Sequence, residues 1–176
     1  MIDDLLTEKR LQGVYPDLVE RWRAVRSEMW DRFQMQIRVT EGIRSFADQL
    51  KDWSVGRQKN DTGKWQIVEP HKIVTHAPPG LSAHQYGLAL DSAFMGDDPF
   101  LARMDAGKAG SLWYEYGQIC QAHLLTWGGS WEAEKMDRPH CEKLYGYSIH
   151  DIQCFYEAGG LAKVWDKCNL KVGEKS

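Results

Sequence analysis

The sequence lacks paired cysteines. Its four cysteines are isolated from one another, and no two of them have Cys-x-x-Cys spacing: Cys120, Cys141, Cys154 and Cys168. This pattern excludes a zinc ribbon and the usual dithiol redox motif. We therefore expect reduced thiols and synthesis in a reducing compartment, and we interpret Cys141 as a small, buried residue.

A basic field and long apolar segments are also missing. The formal net charge is −3, and the lysines and arginines do not cluster, so we expect no nucleic-acid partner. No apolar run is long enough to span a bilayer. A signal peptide begins with basic residues followed by a continuous apolar run, whereas residues 1–20 carry acidic residues early and lack such a run. We therefore expect that they are not a signal peptide. We expect a monomer with no stable membrane insertion.

Length and composition favour one domain. The chain has 176 residues, of which 43% are hydrophobic, enough for one full core and short for two. We predict a single domain over residues 1–176. Residues 145–176 carry enough apolar side chains to form a helical C-terminal extension that packs on the rest.

Apolar periodicity predicts alternating helices and strands. The predicted helices cover residues 17–33, 45–53 and 111–125, and two further helices follow Ser148 with a break at Gly159 and Gly160. The predicted strands cover residues 37–40 and 88–94, with extended structure again from 126 to 129. Residues 56–80 are rich in Gly, Asn, Asp and Pro and are predicted to be mostly surface loop, with one extended stretch at 72–75. Helices flanking a small antiparallel sheet make the predicted fold α+β.

Two short segments contain residue types that suit a metal site. They are Ser-Ala-His-Gln-Tyr-Gly-Leu-Ala-Leu-Asp at 82–91 and Asp-Arg-Pro-His at 137–140. Strand alternation places Asp91 on the face opposite the leucines, where a carboxylate beside a core needs a partner, and a metal cation is the strongest one. Two imidazoles and one carboxylate leave a tetrahedral zinc with a fourth position free, as catalytic sites have. We predict His84, Asp91 and His140 as Zn²⁺ ligands.

A second carboxylate has the spacing of an acid/base group. Asp137 lies three residues before His140, where it can lean over the metal without binding it, and we predict that it acts as general base and then general acid. The spacing of His84 and Asp91 alone is loose and leaves an ordinary polar pair open, so the second segment decides between the two interpretations. The remaining histidines are interpreted as ordinary polar residues outside the site: His71, His76, His123 and His150. Trp127 is interpreted as a core aromatic, whereas Trp131 is left open between the core and a cleft wall.

These segments resemble signatures of a known family. The first is similar to Ser-x-His-x-x-Gly-x-Ala-x-Asp, and residues 127–140 are similar to Trp-Gly-Gly-x-Trp followed by Asp-x-Pro-His. An upstream segment from Glu41 to Gln49 is similar to Gly-x-Arg-Ser followed by Gln. All three are signatures of the D-alanyl-D-alanine carboxypeptidase and L-alanyl-D-glutamate endopeptidase family of zinc peptidases, and the resemblance is strongest to phage endolysins of the L-alanyl-D-glutamate type.

The resemblance implies roles for particular residues. It implies His84, Asp91 and His140 as zinc ligands, Asp137 as the catalytic acid/base, and Arg44 as a residue that holds the substrate and the oxyanion. A guanidinium suits that task because it offers two aligned N–H groups. Gln49, Ser82 and Trp131 are further substrate-binding candidates. Ser82 as a turn cap, Gln49 as a solvent-facing helix residue and Arg44 as a salt-bridge partner are the open alternatives.

The resemblance also implies a substrate and a setting. We expect hydrolysis of the L-alanyl-D-glutamate bond in the peptidoglycan stem peptide, by a chain with a fold like that of D-Ala-D-Ala peptidases and the hedgehog domain. As an endolysin, it would be made in the cytoplasm of the bacterial host and reach the periplasm and cell wall through a holin-formed pore. A D-alanyl-D-alanine carboxypeptidase and a non-catalytic, zinc-containing peptidoglycan-binding module are the alternatives, and a wall-binding role for residues 145–176 also stays open.

Overall fold

A computed structural model describes residues 4–96 and 111–173 of the chain. The described helices are α1 (Leu5–Arg10), α2 (Pro16–Phe33), α3 (Phe46–Ser54), α4 (Leu112–Ala122) and α5 (Ile149–Gly173). The described strands are β1 (Ile37–Glu41), β2 (Arg57–Lys59), β3 (Trp65–Ile67), β4 (Ala89–Phe94), β5 (Thr126–Trp127) and β6 (His140–Glu142). The predicted α+β class is confirmed, and so is each long predicted helix and strand to within a few residues at its ends.

Four strands form the antiparallel sheet on which the site is built. Their order is β1-β4-β6-β5, and every neighbouring pair is antiparallel. Asp91 at the centre of β4 pairs with Glu41 of β1 on one side and with His140 of β6 on the other. Three polar side chains from distant parts of the sequence are therefore brought next to one another across the sheet.

The two faces of β4 have different surroundings, as the alternation predicts. Leu90, Ser92 and Phe94 are buried in the core with α2 and α4. The indole of Trp22 in α2 and the hydroxyl of Tyr116 in α4 both donate hydrogen bonds to the Ser92 hydroxyl, at 2.9 and 3.1 Å. These bonds satisfy the hydrogen-bonding capacity of the Ser92 hydroxyl, which is buried in the core. Asp91, by contrast, faces the other side of the sheet and is partly exposed.

The C-terminal helix packs against the main core. Ser148 and Asp151 exchange hydrogen bonds at its start, since the Asp151 carboxylate accepts from the Ser148 backbone at 2.9 Å and the Ser148 hydroxyl accepts from the Asp151 backbone at 3.2 Å. The helix is interrupted at Gly159 and Gly160, as predicted. Three side chains beyond the first turn are fully buried in the same cluster as the sheet residues: Ile152, Val164 and Cys168. Residues 174–176 of the predicted extension lie outside the described residues.

Residues 56–80 differ from the prediction of an almost continuous loop. The strands β2 and β3 pair as an antiparallel hairpin, with Arg57 opposite Ile67 and Lys59 opposite Trp65. Its turn is stabilised by the Asn60 side chain, which accepts backbone hydrogen bonds at 3.1 and 2.9 Å. Within the predicted extended stretch at 72–75, Lys72 ends a short 3₁₀ turn that begins at Pro70, and residues 73–75 form no strand.

Among residues 4–96 and 111–173, no helix combines the length and apolar character needed to cross a membrane.

Candidate metal centre and its cleft

Three ligand-type atoms converge on the open face of the sheet. Nε2 of His84 lies 3.2 Å from Nδ1 of His140, and Oδ1 of Asp91 lies 3.4 Å from the first and 3.2 Å from the second. Tetrahedral ligands at zinc bond lengths of about 2.0–2.1 Å lie about 3.3 Å from one another. The separations of these three atoms therefore fit one zinc ion.

The remaining nitrogen of each imidazole is held by an acceptor. Nδ1 of His84 donates to the carbonyl oxygen of Gly42 at 2.7 Å, and Nε2 of His140 donates to the Glu142 carboxylate at 3.1 Å. A neutral imidazole carries one proton, so these bonds leave the lone pairs of His84 Nε2 and His140 Nδ1 directed at each other and at Asp91. Such an arrangement suits a cation placed between them.

The electrostatics of the cluster also favour positive charge. Burial alone would raise the pKa of Asp91, but the neighbouring His140 and His84 imidazoles outweigh burial and hold that pKa well below its usual range. Burial would lower the pKa of His140, but Asp91 and Glu142 outweigh it and raise the pKa to about 10. Both shifts arise from attraction between carboxylates and positive charge on the imidazoles. A divalent metal would supply that positive charge in place of an imidazolium proton, so the residues present fit a divalent metal.

Tight backbone contacts position His84. It lies in a 3₁₀ turn, Ala83–Tyr86, which ends at Gly87 with a φ of +67°, in the left-handed region that glycine adopts without strain. The backbone N–H of Arg44 donates to the His84 carbonyl at 3.1 Å. The carbonyl that accepts the His84 hydrogen bond belongs to Gly42. A Cβ at this position would lie 2.1 Å from the carbonyl oxygen of Arg10, so only glycine fits there.

Asp137 comes from a loop fixed beside the cluster. Its backbone N–H donates to the Gly128 carbonyl at 3.1 Å, and the indole of Trp127 donates to the Arg138 carbonyl at 2.8 Å. Trp127 is buried in the core, which confirms its interpretation as a core aromatic. Burial and the nearby Asp91 carboxylate raise the pKa of Asp137. A raised pKa suits a carboxyl group that accepts and then returns a proton.

Arg44 is held by two side chains. Its Nε donates to Glu41 at 2.6 Å, its Nη2 donates to the second oxygen of the same carboxylate, and its Nη1 donates to the Gln49 amide oxygen at 3.0 Å. The salt-bridge alternative for Arg44 is therefore present in the structure. These three bonds use three of the five N–H donors of a guanidinium, which leaves two for a ligand.

A cleft of about 720 Å³ contains these groups. Its lining includes Arg44, Ser82, Trp131, Asp137 and the three ligand residues. The Trp131 ring centroid lies 5.0 Å from that of His140, which puts Trp131 on the cleft wall. The volume lies within the range of small-molecule and peptide binding sites.

Gln49 is the one predicted site residue that does not line the cleft. It is fully buried, neither facing solvent nor reaching the cleft, and its amide N–H donates to the Ala77 carbonyl at 2.8 Å while its amide oxygen holds Arg44. Ala77 belongs to the cleft wall. Gln49 therefore connects Arg44 to that wall through hydrogen bonds.

Three neighbours of the site were not predicted from the sequence: Glu41, Gly42 and Glu142. Glu41 begins the motif that contains Arg44, and the i,i+3 spacing of this acid and base was the one signal in the sequence for their ion pair. Glu142 follows His140 by two residues, a spacing that places both on one face of a strand. Of the histidines placed outside the site, His76 lines the cleft but lies outside the ligand cluster.

Together, the small antiparallel sheet and the three-ligand cluster in an open cleft define an α+β chain with a candidate catalytic metal site. Residues 75–143, which include the whole cluster and Asp137, match the family model described as D-alanyl-D-alanine carboxypeptidase. This match confirms the predicted family resemblance over the segment that carries the candidate ligand cluster.

Two named proteins are similar to the chain. The peptidoglycan L-alanyl-D-glutamate endopeptidase CwlK of Bacillus subtilis (strain 168) is 36% identical over 110 residues, which cover 60% of this chain and 59% of CwlK. The chain thus spans less than two thirds of that relative. A crystal structure of the Serratia marcescens L-Ala D-Glu endopeptidase ChiX matches with a TM-score of 0.48 and 22% identity, covering 85% of this chain and 91% of that one.

Proposed function

We propose that this chain is a zinc-dependent peptidoglycan peptidase that hydrolyses the L-alanyl-D-glutamate bond of the stem peptide. The observation that carries the proposal is the convergence of His84, Asp91 and His140 on one point of a cleft that also contains Asp137. The choice of bond is supported by the similarity to CwlK, whose name states that specificity.

In this proposal His84, Asp91 and His140 hold Zn²⁺. The bound ion supplies Lewis acidity, which polarises a peptide carbonyl and makes water acidic enough to react near neutral pH. The two hydrogen bonds to Gly42 and Glu142 keep both imidazoles in the tautomer that binds metal.

Asp137 moves the proton in this mechanism. It takes a proton from the attacking water as the new C–O bond forms at the L-alanine carbonyl carbon. It then gives that proton to the D-glutamate nitrogen as the C–N bond breaks, so that the products are a free carboxyl group and a free amine. One carboxyl group with a raised pKa serves both steps.

Arg44 and the cleft walls hold the peptide. The two remaining N–H donors of Arg44 bind the substrate and the negative charge that develops on the scissile carbonyl oxygen. Ser82 and Trp131 contact the substrate as parts of the wall, and Gln49 keeps Arg44 in place through its amide oxygen.

A D-alanyl-D-alanine carboxypeptidase is the second candidate. The description of the matching family model favours it, because that description names this activity. The same ligands and the same acid/base would serve both reactions, and the difference lies in which part of the substrate the cleft accepts.

The test is cleavage of defined muropeptides, with products identified by mass spectrometry. The proposal predicts release of a peptide that begins with D-glutamate, loss of this product with a chelator, and its return with added zinc. Loss of a single terminal D-alanine would move the chain to the carboxypeptidase class. Absence of any cleavage by zinc-loaded protein would favour a peptidoglycan-binding module.

The biological setting is a further part of the proposal. We propose that the chain acts as a phage endolysin and that, as a monomer, it reaches the wall through a holin-formed pore; the resemblance of its motifs to endolysins supports this. Expression in bacterial cytoplasm should leave cells intact until the membrane is permeabilised, after which turbidity should fall. Stable turbidity after permeabilisation would contradict the role.

A further inference from the structure

Glu142 contacts a proposed metal ligand but is not itself a ligand. Its Oε2 lies 3.1 Å from Nε2 of His140, on the side of the ring away from the cluster. Both side chains are largely buried: that of Glu142 is 18% exposed and that of His140 is 8% exposed. A charged acceptor is thus held against a buried imidazole at the base of the cleft.

The sheet register explains why Glu142 can reach the ring. His140 and Glu142 are two residues apart in β6, so their side chains leave the strand on the same face. His140 is paired with Asp91 of β4, and Glu142 is paired with Ala89 of the same strand. Asp91 and Glu142 therefore contact His140 on the same face of the sheet, Asp91 from the neighbouring strand and Glu142 from β6 itself.

We propose that Glu142 is a positioning residue that sets the tautomer, orientation and basicity of His140 for metal binding. The proposal rests on the metal site of the proposed function. By accepting a hydrogen bond from Nε2–H, the carboxylate keeps the proton on Nε2 and leaves the Nδ1 lone pair for the metal, and its negative charge makes the imidazole a stronger electron donor. Without Glu142, the buried Nε2–H would lose its acceptor, and the ring could rotate or change tautomer.

The two histidine ligands differ in how they are held. His84 donates to a backbone carbonyl, that of Gly42, whereas His140 donates to a carboxylate. The neutral acceptor is fixed by the main chain. The charged acceptor belongs to a side chain, so its contribution to metal binding can be removed by one substitution.

The test compares the zinc affinities of variants, measured by competition with a chromophoric chelator on full-length chains stripped of metal. Glu142→Ala removes both the acceptor and the charge, whereas Glu142→Gln keeps an amide oxygen that can still accept a hydrogen bond from Nε2–H. Glu132→Ala is the matched control, since Glu132 is another carboxylate of the same cleft but is 86% exposed. Circular dichroism of the metal-free proteins checks that each variant is folded.

We expect Glu142→Ala to weaken zinc binding by about 10- to 100-fold, which is the usual loss for such outer carboxylates. Glu142→Gln should weaken it less, and Glu132→Ala should leave it unchanged. Unchanged affinity in Glu142→Ala, or an equal loss in Glu132→Ala, would overturn the proposal. A wild-type chain that binds no zinc would overturn the metal site along with it, whereas zinc binding without peptide cleavage would overturn only the proposed peptidase function.

Discussion

The imidazoles of His84 and His140 meet edge to face over the sheet, with Nε2 of the first 3.2 Å from Nδ1 of the second, although 56 positions separate them in the sequence. Nδ1 of His84 donates a hydrogen bond to Gly42, and Nε2 of His140 donates one to Glu142. Each ring is therefore fixed by one nitrogen while the lone pair of its other nitrogen faces the cluster. Two rings held in this way create a site for a cation that neither segment could form alone.

Replacement of His84 by alanine should abolish stabilisation by zinc. A ligand that binds only the folded state stabilises it by about 2.7 kcal/mol at 100 times its dissociation constant, and His84→Ala removes one of the three ligands. Thermal unfolding with and without zinc measures the effect. His76→Ala is the control, because His76 lines the cleft outside the ligand cluster and should leave the zinc-dependent shift intact. A full zinc-dependent shift in His84→Ala would remove that residue from the site.

Replacement of Asp137 by asparagine should slow turnover strongly without releasing the metal. The amide keeps the shape of the side chain but cannot take a proton, so kcat should fall by about 10²- to 10⁴-fold. Zinc affinity should stay at the wild-type level, since Asp137 is not in the ligand cluster. Wild-type kcat in the variant would remove Asp137 from the mechanism, and loss of zinc together with activity would show that Asp137 is a ligand.

Replacement of Arg44 by lysine should lower kcat by about 10²-fold, because an ammonium group cannot reproduce the planar fork of a guanidinium. Zinc affinity should be unchanged. Arg23→Lys is a suitable control, since Arg23 forms an exposed ion pair with Glu8 outside the cleft. Steady-state kinetics on a stem peptide separate kcat from KM, and wild-type kcat in Arg44→Lys would contradict its proposed contact with the oxyanion.

Stability should depend on pH through Asp17. Burial raises the pKa of this carboxyl, but hydrogen bonds from Arg21 and Tyr145 outweigh it, so the net pKa is below its ordinary value of 3.8. Asp17 therefore stabilises the fold fully above that ordinary value, and the contribution is lost as pH falls through the lowered pKa. Asp17→Asn should cost about 1–2 kcal/mol at pH 7 and progressively less in acid.

Urea unfolding of the metal-free protein at neutral and acidic pH measures this dependence. Asp31→Asn is the control, because Asp31 is an exposed carboxylate of the same helix, α2. A difference between wild type and Asp17→Asn that stays constant with pH would show that the carboxylate charge is not the cause.

The C-terminal helix should contribute to stability through Trp165. Its indole N–H donates to the Tyr86 carbonyl at 3.0 Å, and Tyr86 ends the turn that carries His84. Trp165→Phe removes this donor and should lower the free energy of unfolding by about 1–2 kcal/mol, measured by urea denaturation. Wild-type stability in the variant would favour the alternative in which α5 serves mainly to bind the wall.

The members of the candidate ligand cluster and the long elements could be predicted from the sequence because their signals are local. His84, Asp91 and His140 belong to short motifs, and helix α2 shows its buried side chains at regular spacing. The period-two alternation around Asp91 was enough to place it on the face opposite the leucines.

The contacts around the ligands could not be predicted in the same way, because they depend on pairing between distant strands. Glu41 lies beside Asp91 only in the observed register of β1 and β4, and the hydrogen bond from His84 to the Gly42 carbonyl joins segments that are 42 positions apart. The hairpin of β2 and β3 was missed because each strand has three residues and little apolar alternation, and pairing between the strands outweighs the loop-like composition.

The most direct test of the proposed metal site is X-ray absorption at the zinc edge of the zinc-loaded protein, together with the zinc content per chain. We expect one zinc bound by nitrogen and oxygen atoms at about 2.0–2.1 Å. Absence of bound zinc, or a sulfur ligand at about 2.3 Å such as the neighbouring Cys141, would contradict a site formed by His84, Asp91 and His140.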